Sequence, residues 1–435
     1  MKRAVAILSL AALAACSGPS RVTPTAFLPL EAPRSTAHYR VLYNMSGRLG
    51  GGILWGGVAV DANGNVFGAA MQGGKTCPLP STQPGCGVVF ELERAGSEYR
   101  ERILHLFVGP TDGVYPEASP TLLANGALVG TTIVGGTRKC RTCGTAYELM
   151  PHAGGGYSER VIHYFGHVGG SNPRYAPLTA AKNGVLYGVT PVGGPNRCGC
   201  GTVFALVPVA SGYRVDVLHA FNGSDGAEPL GPLTIAGDGT LYGTAAAGGK
   251  TTCSVSGSGT GCGVIFSIAR TASGYRERIV HAFAGPDGAD PDGTLTVAAN
   301  GAIYGTAEAG GGTGCRNHGC GIAYELVASS DAYSETILHR FRGGSDASIP
   351  RGGMVAGPNG SFYTFTDGGG HGGAIVALLP SNGKYVDRVV HVFGTGNDGS
   401  APEAPLAVGA DGTLYGTTLL GGKYGVGTVF AYTPR

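Results

Sequence analysis

Apolar residues in this chain come in short runs, separated by glycine-rich polar stretches, and the runs recur in a fixed order. The run Leu241-Tyr242-Gly243-Thr244 returns as Leu414-Tyr415-Gly416-Thr417. Its first apolar position falls at Val66, Leu128, Leu186, Leu241, Ile303, Phe362 and Leu414, seven copies at intervals of 52 to 62 residues. Short apolar runs bounded by glycine, asparagine and aspartate predict strands. A fixed order with variable spacing places the insertions in loops.

Each unit predicts four strands. The first resembles Pro232-Leu233-Thr234-Ile235-Ala236 and is followed by Asp238-Gly239, or by Asn300-Gly301 and Asp411-Gly412 in other copies. Such dipeptides signal a tight hairpin in which both central residues take φ > 0. The second run, Leu241 to Thr244, leads through a glycine-rich loop to a third such as Gly201-Thr202-Val203-Phe204-Ala205-Leu206. The fourth begins at Tyr99, Tyr157, Tyr213, Tyr275, Tyr333 and Tyr385 and always ends in His-x-Phe. Within it, consecutive apolar residues such as Ile103 and Leu104, or Val217 and Leu218, point to opposite faces. Both faces therefore need cover, as a blade between two neighbours has.

The fourth run occurs six times, one short of seven. The last unit stops after its third strand, Gly427-Thr428-Val429-Phe430-Ala431-Tyr432, and the missing strand stands at the other end as Tyr39-Arg40-Val41-Leu42-Tyr43-Asn44-Met45. An open β-solenoid gives no reason for one terminus to carry what the other lacks. A closed ring does, because closure removes the unpaired edge. The expected fold is all-β: a seven-bladed β-propeller over residues 38–435, four strands per blade, closed by the N-terminal strand on the last blade.

Composition narrows the function classes. Gly reaches 80 of 435 residues without a Gly-X-Y period, which excludes collagen and disfavours long helices. A net charge of +2 offers no electrostatic case for nucleic acid or an anionic membrane surface. The N-terminus reads as an export signal: Lys2 and Arg3, then an apolar Ala4 to Ala12 too short to span a bilayer. Leu13-Ala14-Ala15-Cys16 resembles a bacterial lipobox, followed by Ser17 rather than an acidic retention residue. The expectation is a signal peptide over 1–15, lipidation at Cys16, an anchor and linker over 16–37, and a monomer held at the outer membrane only by its lipid.

The other ten cysteines fall in five pairs, one per unit in units one to five: Cys77/Cys86, Cys140/Cys143, Cys198/Cys200, Cys253/Cys262 and Cys315/Cys320. The second of each pair directly precedes the Gly that opens the third strand. An even count at one structural address in an exported chain predicts five local disulfides and no metal. Two alternatives stand beside this. Cys140-Arg141-Thr142-Cys143 has redox-motif spacing without a βαβ context, and the four thiols of units two and three have the composition of a zinc site. The short Cys198-Gly199-Cys200 ring is expected to be the most easily reduced.

The repeated histidines, His105, His163, His219, His281, His339 and His391, sit one per blade on the outermost strand, so they read as structural. Asp112, Asp225, Asp287, Asp346 and Asp398, from Asp-x-x-x-Pro-like segments, read as turn formers. Loops between strands two and three, and between strand four and the next blade, open on one face, and function is expected there. Polar residues in these loops that break the repeat are the candidate ligand-binding set: Arg138, Lys139, Arg141, Arg197, Arg316, His318 and His371.

Leu414-Tyr415-Gly416-Thr417-Thr418, the Gly421-Gly422 step and Gly427-Thr428-Val429-Phe430 resemble the tandem Gloeo/Verruco, or GloVer, repeats. Unit one (Val66-Phe67-Gly68-Ala69) and unit six (Phe362-Tyr363-Thr364-Phe365) depart from that pattern. The resemblance implies a bacterial surface protein with one of several anchors, and brings no catalytic residues or cofactor. The expected function is a non-catalytic binding module for glycan or protein. The alternatives are a glycan-cleaving hydrolase or lyase with converging carboxylates in the channel, and a purely structural envelope protein.

Overall fold

The computed structural model describes residues 39–47, 49–77, 85–136, 140–249, 253, 261–312, 314–330, 332–368, 372–394 and 397–434, the side chains of Arg316 and Asn317 excepted. Its strands form seven antiparallel sheets of four, six of them in chain order. Blade four shows the pattern: Thr234–Ile235, Leu241–Ala245, Val264–Thr271 and Gly274–Ala282. The seventh sheet takes its fourth strand from the N-terminus, Tyr39–Asn44 completing it beside Thr428–Tyr432. Tyr39 lies opposite Tyr432, Val41 opposite Phe430 and Tyr43 opposite Val429. The protein is a seven-bladed propeller closed by its N-terminal strand.

Outside blade six, where Asn359 and Gly360 both take positive φ, the first hairpins differ from the expected two-residue turn. In blade four Gly239 N–H donates to Ala236 O and Ala236 N–H to Thr240 O, with Gly239 at φ 86° and Asp238 outside the positive-φ set. This is a three-residue loop in which only the glycine is left-handed. The Asp238 carboxylate instead accepts the Thr240 backbone N–H at 2.9 Å. Capping by the side chain, rather than a second αL residue, is what Asp or Asn supplies there.

The core lies between blades. Among the described residues, apolar side chains gather in seven clusters, one at each seam. Five of the six fourth-strand Phe residues meet an aromatic on the next blade's third strand edge-on or tilted: Phe107 with Tyr147, Phe165 with Phe204, Phe221 with Phe266, Phe283 with Tyr324 and Phe393 with Phe430. That same ring dictates the glycine of Leu-Tyr-Gly-Thr. Gly243 pairs with Phe266, and a Cβ on it would sit 2.5 Å from the Phe266 ring. Blade six, where Thr364 replaces the glycine, carries the smaller Val376 opposite. Its departure from the repeat is compensated within the blade.

The repeated histidines and aspartates find each other. Nε2 of His105, His219, His281, His339 and His391 lies 3.1–3.3 Å from Asp112, Asp225, Asp287, Asp346 and Asp398, respectively. The same aspartates hold their turns, as when Asp225 accepts the Asn222 N–H at 2.9 Å and Asp287 the Ala284 N–H at 2.7 Å. A carboxylate from the next blade joins at the seam, Glu335 at 3.9 Å from His281 and Asp387 at 3.2 Å from His339. His163 is the exception: its connection has Gly169 at the aspartate position, and burial pushes its pKa down to about 4.

Candidate functional site

Every connection into a new blade carries a non-glycine residue with positive φ at one equivalent position. These are Ile53, Tyr115, Asn172, Glu228, Asp290, Ile349 and Ala401, all between 53° and 60°. Proline follows in six of the seven. A left-handed non-glycine backbone costs on the order of 1 kcal/mol or more and persists only where its surroundings fix it.

Here the fixing partner is the neighbouring blade. The N–H of the αL residue donates to the carbonyl just before the glycine that opens that blade's third strand. In five seams this carbonyl belongs to the second cysteine of a pair: Tyr115 to Cys86, Asn172 to Cys143, Glu228 to Cys200, Asp290 to Cys262 and Ile349 to Cys320, at 2.8–3.0 Å. Gly372 and Val426 serve Ala401 and Ile53 in the two blades without cysteines. The proline then packs on the opening glycine, so a Cβ at Gly263 would lie 2.5 Å from Pro291 Cδ. All five cysteine pairs are disulfide-bonded as paired above. Each bridge braces the loop that carries the next blade's inner residues.

The residues on either side of the proline differ in every blade, and several of them meet at one cavity. Trp55 and Tyr175 from blades one and three, Glu228 from four, Asp290, Asp292 and Glu308 from five, Arg351 from six and Glu403 from seven line one cavity of about 260 Å³. Residues from so many blades share only the propeller axis. Blade six is fastened there to blade five: Thr294 N–H donates to Gly352 O at 3.1 Å, and Met354 N–H to Thr294 O at 3.2 Å. This seam puts Arg351 among the carboxylates of its neighbours. Its guanidinium reaches Glu403 at 2.9 Å, Glu308 at 3.4 Å and Asp367 at 4.0 Å.

The electrostatics of the cavity are set by burial. It pushes Glu308 well above the ordinary carboxylate range, with Asp292 adding to the rise and Arg351 opposing it. Glu403 is raised for the same reason, again against Arg351. Asp290 is pushed up to about 6 by burial, then by Asp292 and Glu228, with His318 opposing. On the other side Glu117 is pushed up to about 7 by burial, against Arg174. Burial disfavours the charge on Arg351, yet the surrounding carboxylates hold its pKa above the usual value. Opposite them the Trp55 and Tyr175 rings stand 5.8 Å apart. An aromatic wall facing carboxylates of raised pKa, in a concave site on a rigid scaffold, has the form of a ligand site.

The expected loop residues fare differently. Arg138, Lys139 and His371 lie outside the described residues, as do Cys16 and the N-terminal signal and anchor. The backbone of Arg316 is in a short helix, Gly314–Asn317, its side chain outside the description. Arg141 and Arg197 are exposed. His318, also exposed, lies near enough to Asp290 to oppose its pKa rise. The cavity carboxylates and Arg351 were missed by that reading. Except for Glu308, which follows a second strand, their signal was present: the two positions flanking the proline change in each copy of a segment whose other positions repeat.

Histidine and carboxylates also group as His219/Asp225/Glu277, His281/Asp287/Glu335 and His339/Asp346/Asp387. These stand at outer seams, away from the cavity. In the last, the two carboxylates meet opposite ring nitrogens of His339.

A comparison with the curated proteins finds no match. Among solved structures, XC5397 of Xanthomonas campestris, described as a gluconolactonase, matches over 72% of this chain and 85% of its own, at 13% identity and a TM-score of 0.41. The family model of the Gloeobacter/Verrucomicrobia repeat matches residues 31–255 and 313–435, nearly the whole propeller. The chain belongs to the Gloeobacter/Verrucomicrobia repeat family.

Proposed function

We propose that this chain is an exported, lipid-anchored propeller that binds a glycan in its axial cavity without cleaving it. The observation that carries the reading is the pairing of Trp55 and Tyr175 with carboxylates across one cavity. Aromatic faces cover the apolar faces of sugar rings, and carboxylates accept hydrogen bonds from adjacent hydroxyls. At about 260 Å³ the cavity is smaller than most pockets that engulf a drug-sized molecule, so it takes a terminal sugar unit rather than a chain segment. Screening the protein on a glycan array tests this. Binding is expected, with Trp55→Ala abolishing it and Arg197→Ala leaving it intact. An array without hits would favour a purely structural envelope role.

A second reading has an observation of its own. Burial and Asp292 raise Glu308 well above the ordinary carboxylate range, while Glu403 is paired with Arg351 at 2.9 Å. Two carboxyls set in different surroundings within one cleft are what glycoside hydrolysis uses. Incubating each array hit with the protein and analysing its reducing ends separates the two. Turnover lost in Glu308→Gln would overturn the non-catalytic reading.

A further inference from the structure

The connection that follows the fourth strand of blade two departs from its siblings in two ways at once. At the position of Asp112, Asp225, Asp287, Asp346 and Asp398 it carries Gly169, which leaves His163 without a carboxylate partner. Two residues earlier it carries a second histidine, His167, whose Nε2 lies 3.8 Å from Cys140 Sγ. Cys140 belongs to the one pair with Cys-x-x-Cys spacing. Among the described residues, this is the one place where a histidine and two cysteines come together.

We propose that the Cys140–Cys143 disulfide is a thiol-exchange site, with Cys140 the sulfur attacked and His167 the group that stabilises its thiolate. Cys140 is half-buried and its partner Cys143 is 1% exposed, so an incoming thiolate reaches Cys140. Cys77–Cys86, Cys253–Cys262 and Cys315–Cys320 share that asymmetry, but among the described residues no histidine groups with both of their sulfurs. His167 is itself exposed, and its loop is held in place by the Gly194 N–H, which donates to the His167 carbonyl at 2.7 Å. An imidazolium beside a sulfur lowers the thiol pKa and stabilises the reduced form, which makes the bridge more oxidising.

The substrate class is a dithiol. One of its thiolates attacks Cys140 Sγ; the Cys140–Cys143 bond breaks, a mixed disulfide forms on Cys140, and the electron pair leaves on Cys143. The second substrate thiolate attacks the substrate sulfur of that mixed disulfide and expels Cys140 as a thiolate facing His167. The substrate is oxidised to a disulfide and the protein's bridge is reduced to two thiols, with two electrons and two protons transferred. This site is separate from the axial cavity, and its test does not depend on a glycan.

The test equilibrates the oxidised full-length protein in graded mixtures of reduced and oxidised dithiothreitol, alkylates it and maps each cysteine by mass. Cys140–Cys143 is expected to open at a ratio about tenfold more oxidising than Cys77–Cys86, Cys253–Cys262 and Cys315–Cys320, roughly 30 mV. His167→Ala, and separately His167→Gln, should remove most of that gap and raise the pH at which reduced Cys140 becomes reactive to iodoacetamide. Neither change should move Cys198–Cys200, whose short ring makes it reducible for another reason. Opening of Cys140–Cys143 together with the three reference bridges would overturn the proposal. Early opening that both His167 variants leave unchanged would overturn it equally.

Discussion

Two concentric sets of residues in this propeller obey opposite rules. On the outer strands, His-x-Phe and its aspartate recur almost blade by blade, and five of the six histidines meet their aspartate at 3.1–3.3 Å. Around the axis, the residues flanking the proline, or Leu54 in its place in blade one, are Ile53 and Trp55, Tyr115 and Glu117, Asn172 and Arg174, Glu228 and Leu230, Asp290 and Asp292, Ile349 and Arg351, Ala401 and Glu403. No two pairs are alike. Yet the backbone beneath them is the same in every blade, down to the αL residue and its hydrogen bond to the neighbour. Repetition thus marks what holds the ring. Freedom to vary marks the surface that the ring presents.

The largest effect separating the two should come from the closure itself. Deleting residues 38–46 removes the strand paired with Thr428–Tyr432 and one wall of the seams on both sides of it. The expected outcome is loss of a cooperative thermal transition by circular dichroism; an unchanged melting curve would break the closed-ring account.

Next in size is a matched pair in one connection. Asp225→Ala should cost about 1–2 kcal/mol in chemical denaturation, because it strips His219 and the Asn222 N–H of their acceptor. Glu228→Ala, three residues on and exposed, should stay within about 0.5 kcal/mol of the parent while changing ligand affinity. Equal stability losses at the two positions would erase the distinction between the rings.

The smallest effect is a pH slope at an outer seam. Burial pushes Glu335 up to about 7 in the folded chain, and its Oε1 is buried without a hydrogen-bond partner. A folded pKa raised above the unfolded value near 4.5 favours folding fully below that value, and the advantage is lost as pH rises through about 7. Glu335→Gln should therefore gain stability relative to the parent between pH 5 and pH 8. His163 works the other way: its folded pKa of about 4 lies below the unfolded 6.5, so its contribution is lost as pH falls from 6.5 towards 4. A parent-minus-variant difference that is flat in pH would show that Glu335 stays solvated.

Nearly all of the fold was legible in the sequence, because each blade restates it. The count of seven, the strand order and the closing strand follow from where Leu-Tyr-Gly-Thr and His-x-Phe occur. The hairpin type was misread because Asp238-Gly239 satisfies two turn geometries, and only the capping hydrogen bond to Thr240 decides between them. The cavity was not legible for a different reason. Trp55 and Glu403 are some 350 residues apart, and each alone looks like a turn residue in a glycine-rich loop. Only closure brings them to one place, and burial there, with neighbouring carboxylates, raises the pKa values of Glu308 and Glu403. His167 escaped notice because its meaning lies in the 3.8 Å to Cys140, across 27 residues.

The central claim, that the varied inner ring is the ligand site, has a built-in reporter, since Trp55 is the one tryptophan in the chain. Titrating the protein with a panel of soluble oligosaccharides while following Trp55 emission tests it most directly. The account predicts a saturable change with at least one oligosaccharide, lost in Glu403→Gln. An oligosaccharide that calorimetry shows to bind while Trp55 emission stays constant would contradict it, as would a panel in which nothing binds.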